Sequence, residues 1–134
     1  VYERAASVSC AADVRFLGYV SGPVKSALYD NASLFVFPSL YEGFGIPPLE
    51  AMEHGCPVVC SDAASLPEVV GDAALTVGVS DEVGLAGAMH RVLTDASLAH
   101  SLAERGRARA RAFSWDDSAA KLAAVCREVL DEAR

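Results

Sequence analysis

A chain of 134 residues suffices for one domain with a proper core, and 52% hydrophobic against 22% charged residues describes a globular chain, not a disordered one. Eleven basic against eighteen acidic residues leave a formal charge of −7 and a sequence pI near 4.8, which argues against broad contact with a nucleic-acid backbone and against general attraction to anionic membranes. No apolar run approaches the ~20 residues that span a bilayer, and no signal peptide is visible at the N-terminus, so a cytoplasmic setting is expected, with any membrane contact made by residues outside this sequence.

In chain order, Val1 to Ala12 reads as the end of a helix entering a loop. Asp13 to Gly18 alternates so that Val14, Phe16 and Gly18 share one face, which predicts a strand ending at Gly18. A helix is predicted from Ser21 or Gly22 to about Asn31, with Val24, Ala27, Leu28 and Ala32 at helical spacing. Leu34-Phe35-Val36-Phe37 is a short β-prone run bounded by Asn31 and Pro38 and reads as a buried strand. Pro47 and Pro48 fit only the first turn of a helix, where a missing N–H costs nothing, so a helix is expected from Pro47 to His54. Gly55 suits the left-handed residue after that helix, and Pro57 prevents its continuation.

Val58-Val59-Cys60 is the next short buried strand. Ser65 to Glu68 has the form of a capping box, with Ser65 as N-cap and Glu68 reaching back. Ala74 to Val77 is a further strand, and Ser80 is expected to cap a helix to about Thr94 with a core stripe of Val83, Ala86, Met89 and Leu93. The next helix spans about Ser97 to Ala112; its alternating Arg105, Arg107, Arg109 and Arg111 wrap the surface and read as a solvated face. Ser114 caps the last helix, with Asp116 and Asp117 in its positive first turn and Ala119, Leu122, Cys126 and Val129 as a packing series.

Repeated strand–helix–strand order predicts an α/β fold, a doubly wound, Rossmann-like parallel sheet with helices on both faces. About four strands are present against the roughly six of a complete nucleotide-binding half, so the sheet is partial. In the six-strand order the two missing strands lie between those at Val14 and Leu34, which would favour self-association of such a chain through open sheet edges.

Chemistry concentrates after Phe37. The loop to Pro47 holds two glycines and Glu42, and Glu50 is expected within the first helical turn. Loops at the carboxyl ends of parallel strands are where such sheets bind ligands. The amides of Gly43, Phe44, Gly45 and Ile46 precede the positive end of a helix and suit a polar, partly anionic ligand. A carboxylate at Glu50 can accept from both hydroxyls of a cis-diol such as a ribose. The plainer reading is that Glu42 caps an amide, Glu50 is a first-turn acid and the glycines only make a turn.

Other residue types suggest no metal site. Cys10, Cys56, Cys60 and Cys126 have no ligand-type pairing and read as small buried thiols in a reducing cytosol. His54, His90 and His100 fall on separate predicted helices and read as surface or helix-end residues.

Glu42-Gly43-Phe44-Gly45-Ile46-Pro47-Pro48-Leu49-Glu50-Ala51-Met52 resembles the Glu, seven residues, Glu signature of retaining glycosyltransferases of family 4, which have the GT-B fold. Flanking segments match as well: Phe16 to Val20, Phe35 to Ser39, Gly55 to Val59, Leu66 to Val69 and Phe113-Ser114-Trp115. The likeness covers nearly the whole chain. It implies that residues 1–134 are an incomplete C-terminal, donor-binding domain, without the first strand–helix units and without the N-terminal, acceptor-binding domain.

The implied reaction moves a hexosyl unit from a nucleoside-diphosphate sugar to an acceptor hydroxyl of a glycan, lipid or small molecule, with retention and without a metal cofactor. By the resemblance, Glu50 grips the ribose hydroxyls, and Glu42 is the catalytic residue beside the transferred sugar. Gly43, Phe44, Gly45 and Ile46 hold sugar hydroxyls and diphosphate, and Tyr19 and Val20 border the base. The Gly-Phe-Gly-Ile-Pro-Pro-Leu-Glu form points to a mannose donor, with GDP-mannose the first expectation. The family's Arg and Lys for the diphosphate precede this stretch, and Lys25 does not match them, so the chain alone is expected to be inactive. Two alternatives compete: a non-catalytic nucleotide-sugar-binding module, and an unrelated doubly wound domain, which would want clustered acids after its first strand.

Overall fold

Residues 2–132 are described by the computed structural model. β2 (Val58–Ser61) is the central strand of a parallel sheet of order β1-β2-β3, between β1 (Phe35–Phe37) and β3 (Leu75–Val77). Val36 pairs with Val59, and Val59 with Leu75. All four β2 residues are buried, as expected of a parallel strand covered on both faces. The period-two pleat sends Val58 and Cys60 into one core and Val59 into the other.

The first core contains Met52 and Ala51 of α3 (Ile46–Glu53), Leu66 and Val70 of α4 (Leu66–Val70), and Tyr29 of α2 (Gly22–Asn31). The second contains Ala88 and Val92 of α5 (Glu82–Thr94) and Leu102 of α6 (Ala96–Ala110). A short helix, α1 (Tyr2–Ala6), precedes these elements, and α7 (Trp115–Glu132) follows them. Helix α6 reaches across to α3 where Gly106 meets Met52: a Cβ on Gly106 would stand 3.1 Å from Met52 Cγ, so glycine permits the close crossing.

The predicted α/β architecture is present, with three strands among the described residues instead of about four. The strand expected over Asp13–Gly18 does not form. Asp13 closes a 3₁₀ turn (Ala11–Asp13), and Val14 to Gly18 join no ladder. Phe16 and Leu17 are half-exposed, with Phe16 resting on the Tyr2 ring at 4.4 Å. Alternation alone makes no strand: backbone donors and acceptors need a neighbouring strand, and the described residues offer none at that position.

Several helix faces also differ from expectation. On α5, Val83, Ala86 and Leu93 are exposed, and the helix meets the second core through Ala88 and Val92, with Leu85 and Met89 half-buried, so the buried face lies beside the expected stripe. Its cap is Asp81, whose Oδ1 accepts from the Gly84 amide at 2.8 Å, while Ser80 takes a left-handed φ of 66°. Asp95, not Ser97, opens α6 and accepts from the Ser97 and Leu98 amides. On α2 the buried residue is Tyr29, while Val24 and Leu28 are exposed. Ser114 caps α7 as expected, accepting from the Asp117 amide at 3.2 Å. No α7 residue is buried among the described residues, so the series Ala119, Leu122, Cys126 and Val129 does not pack here.

The arginines of α6 are partly structural, contrary to a merely solvated face. Arg105 donates to the Asp72 carbonyl, and Arg109 donates to the Val69 carbonyl at 2.8 Å and to that of Glu68. They satisfy carbonyls around the end of α4. Cys56 and Cys60 are buried as expected, and burial pushes both thiols up to about 11, whereas Cys10 and Cys126 are exposed, because the segments that carry them pack against neither core.

This packing sets a contrast measurable by urea denaturation of the chain. Met52→Ala should cost about 2–5 kcal/mol, as for a fully buried methionine. Leu122→Ser, on the unpacked face of α7, should stay within about 0.5 kcal/mol of the parent.

Candidate functional site

Because the strands are parallel, the loops after β1, β2 and β3 open along one edge of the sheet. The loop from Pro38 to Gly45 lies there and turns into α3 at Gly45, the N-cap, with φ 106° and ψ 47°. That left-handed conformation suits glycine. Space demands it too: a Cβ on Gly45 would lie 2.6 Å from Leu66 Cδ2. The helix begins at Ile46, so Pro47 and Pro48 sit in its first turn as expected. Glu50 is then the fifth helical residue, one turn in, not within the first turn as the proline-based start implied.

Three serines hold the loop. Ser61, at the end of β2, donates to the Ser39 carbonyl. Ser39 Oγ meets Glu42 Oε1 at 2.9 Å and the Tyr41 carbonyl at 3.0 Å. Ser65 Oγ faces the carbonyls of Glu42 at 3.1 Å and Phe44 at 2.9 Å. The predicted capping box is therefore absent: Ser65 makes no side-chain cap to α4, and its hydroxyl serves the neighbouring loop. None of the three serines is a site residue by the sequence motif; Ser61 and Ser65 reach the loop from 21 to 23 residues away, through chain packing that spacing does not reveal.

With its carbonyls turned toward Ser65, the loop leaves its donors free. Among the described residues, none of the amides of Gly43, Phe44, Gly45 and Ile46 donates to a protein acceptor. Unpaired amides at a helix start, with the macrodipole behind them, form an anion-binding constellation. Phe44 and Ile46 are partly exposed beside them. The Phe44 ring is edge-on to Phe113 at 5.7 Å, and Arg109 lies over Phe113 at 4.9 Å, which ties the loop to the end of α6.

Glu50 faces α2. Lys25 Nζ is 2.6 Å from Glu50 Oε1, and the Tyr29 hydroxyl is 3.4 Å from Oε2. Burial, then the Glu50 charge and this hydrogen bond, push the Tyr29 phenol up to about 12, so it remains a donor at neutral pH. Beside Glu50, an open groove of about 790 Å³ runs from Phe44, Ile46 and Leu49 to Arg111, Phe113 and Trp115. Tyr19 is almost fully exposed and Val20 half-buried, in the segment leading into α2. His54 ends α3, with Nδ1 2.7 Å from Asp30 Oδ1, the helix-end position expected of it. Among the described residues no cluster of His, Cys, Asp and Glu has the makings of a metal site, and no helix is long and apolar enough to cross a membrane.

This architecture and loop coincide with a family match: the model for glycosyl transferases group 1 covers residues 1–109. The chain belongs to that family. It is 47% identical over 104 residues to the O-antigen chain mannosyltransferase B of Escherichia coli, covering 78% of this chain and 27% of the relative. It is 41% identical over 104 residues to the MMP alpha-(1->4)-mannosyltransferase of Mycolicibacterium hassiacum, covering 75% of this chain and 25% of the relative. A D-inositol 3-phosphate glycosyltransferase of Salinispora tropica is 37% identical over 98% of this chain and 28% of its own length. Among solved structures, the sucrose-phosphate synthase of Thermosynechococcus elongatus, a GT-B glycosyltransferase, superposes with a TM-score of 0.86 at 30% identity, covering 97% of this chain and 34% of that one. The group 1 domain seen here thus spans about a quarter to a third of the length of these relatives.

If Gly45 sets the loop, Gly45→Ala should lower stability by about 1–3 kcal/mol, from the left-handed backbone and the Leu66 clash together. A urea midpoint shift equivalent to less than about 0.5 kcal/mol would mean that the loop relaxes freely at this point.

Proposed function

We propose that this chain forms part of the donor site of a retaining glycosyltransferase that moves a hexosyl unit from a nucleoside-diphosphate sugar to an acceptor hydroxyl. The observation that carries the reading is the pairing of free loop amides at Gly43 to Ile46 with a carboxylate at Glu50 one helical turn further on. The amides suit diphosphate and sugar oxygens, and the carboxylate suits the two hydroxyls of a ribose. Relatives named as mannosyltransferases support a mannosyl donor, and GDP-mannose is our assignment.

In this reading the bond between the anomeric carbon and the diphosphate breaks, the acceptor hydroxyl oxygen takes its place on the same face, and the hydroxyl proton passes to the departing diphosphate. Glu42 lies beside the transferred sugar, held by Ser39 with its second oxygen left for a substrate hydroxyl. The amides and the α3 dipole stabilise the charge gathering on the departing diphosphate without a metal ion. Tyr19 and Val20 border the base. The cationic side chains for the diphosphate and the acceptor site lie outside this sequence, so the chain by itself binds donor weakly and transfers nothing at a useful rate. The enzyme works in the cytoplasm, with any membrane contact made elsewhere in the protein.

Calorimetric titration of GDP, UDP and ADP and their hexosyl derivatives into the protein expressed from its complete gene tests the assignment. One nucleotide should bind selectively, and Glu50→Ala should weaken it by about 2 kcal/mol, roughly thirtyfold. Unchanged affinity in Glu50→Ala would remove the ribose contact, and with it the reading of the site.

A further inference from the structure

The Glu50 carboxylate is held before any ligand arrives. Lys25 and Tyr29 lie four residues apart on α2, the spacing that stacks two side chains on one helix face. That face meets α3 so that each takes a different oxygen: Lys25 Nζ reaches Oε1 at 2.6 Å and the Tyr29 hydroxyl reaches Oε2 at 3.4 Å. A carboxylate offers about four lone-pair directions, two on each oxygen, so one direction on each remains for a vicinal diol.

The two partners differ in kind. Tyr29 is buried, packed edge-on against Phe35 at 5.3 Å, and cannot move without disturbing the core. Lys25 is 42% exposed in its side chain and Glu50 33%, so water screens their ion pair and its contribution to folding is small. What the pair does is restrict rotation. Glutamate has several rotatable bonds, and fixing it in advance removes an ordering cost that a diol ligand would otherwise meet.

We propose that Lys25 is a positioning residue that presents Glu50 to the ribose diol of the donor nucleotide. The proposal rests on the ribose reading of Glu50. It gives Lys25 a role distinct from a phosphate contact: it acts through Glu50 and touches no part of the nucleotide.

The test uses the protein expressed from its complete gene, with GDP and 2′,3′-dideoxy-GDP as probes and the UDP and ADP pairs in parallel. Lys25→Met should weaken the ribonucleotide about fivefold, the scale of a screened charge-assisted contact. It should leave the dideoxynucleotide unchanged and add nothing in a Glu50→Ala background. Lys25→Arg should recover most of the lost affinity, and thermal denaturation should show both Lys25 variants as stable as the parent. Three outcomes overturn the proposal: tighter ribonucleotide binding in Lys25→Met, which makes Lys25 a competitor for the diol; equal losses for ribo- and dideoxynucleotide, which make it a contact elsewhere; or no change. A Lys25→Met protein that binds normally while Glu50→Ala binds weakly removes this proposal alone. Normal binding by Glu50→Ala removes the ribose reading beneath it.

Discussion

The site depends on which way one loop turns its peptide groups. Ser65 draws the carbonyls of Glu42 and Phe44 toward α4, and Gly45 takes the left-handed conformation that lets the chain enter α3 against Leu66. Once those carbonyls face inward, the amides of Gly43 to Ile46 are left for a ligand. Prolines at positions 47 and 48 sharpen the effect: the first turn of α3 has fewer N–H groups to compete, so the positive end of the helix is expressed mainly through the loop.

The rest of the molecule supports that turn. Central β2 is buried on both faces and ends at Ser61, whose hydroxyl holds the Ser39 carbonyl and so the loop's first residues. Helix α6 clasps α3 through Gly106 and Met52, and just beyond its end Phe113 meets Phe44 edge-on. Arg109 completes the clasp by satisfying carbonyls at α4 while lying over Phe113. Both sides of the loop from Pro38 to Gly45 are thus tied to the same small core, which fixes its conformation at the edge of a short-stranded sheet.

Much of this was legible from the residues. The runs at Phe35, Val58 and Leu75 are short, apolar and punctuated by Pro, Gly or Asn, and each forms a strand. The paired prolines marked the start of α3, and Gly55 takes the left-handed φ of 72° expected after it. The failures share a cause, which is that periodicity describes a face but not what meets it. Val14 to Gly18 has strand alternation and no neighbour to pair with, and α7 has an apolar series and nothing described to cover it. On α5 and α2 the apolar residues were found but the buried side was misjudged, because Ala and Tyr take the tight positions while Val83, Val24 and Leu28 stay outside. Ser61, Ser65 and Lys25 carry no local signal as site residues because their side-chain partners lie 21 to 25 residues away in the chain.

A crystal structure of the protein from its complete gene with its preferred nucleoside diphosphate tests directly the proposed reception of one nucleotide by the Gly43–Ile46 amides and Glu50 together. Both ribose hydroxyls should lie within hydrogen-bond distance, about 2.5–3.2 Å, of the Glu50 carboxylate, with diphosphate oxygens on the loop amides. A nucleotide bound with its ribose away from Glu50, for instance in the groove beside Trp115, would contradict it.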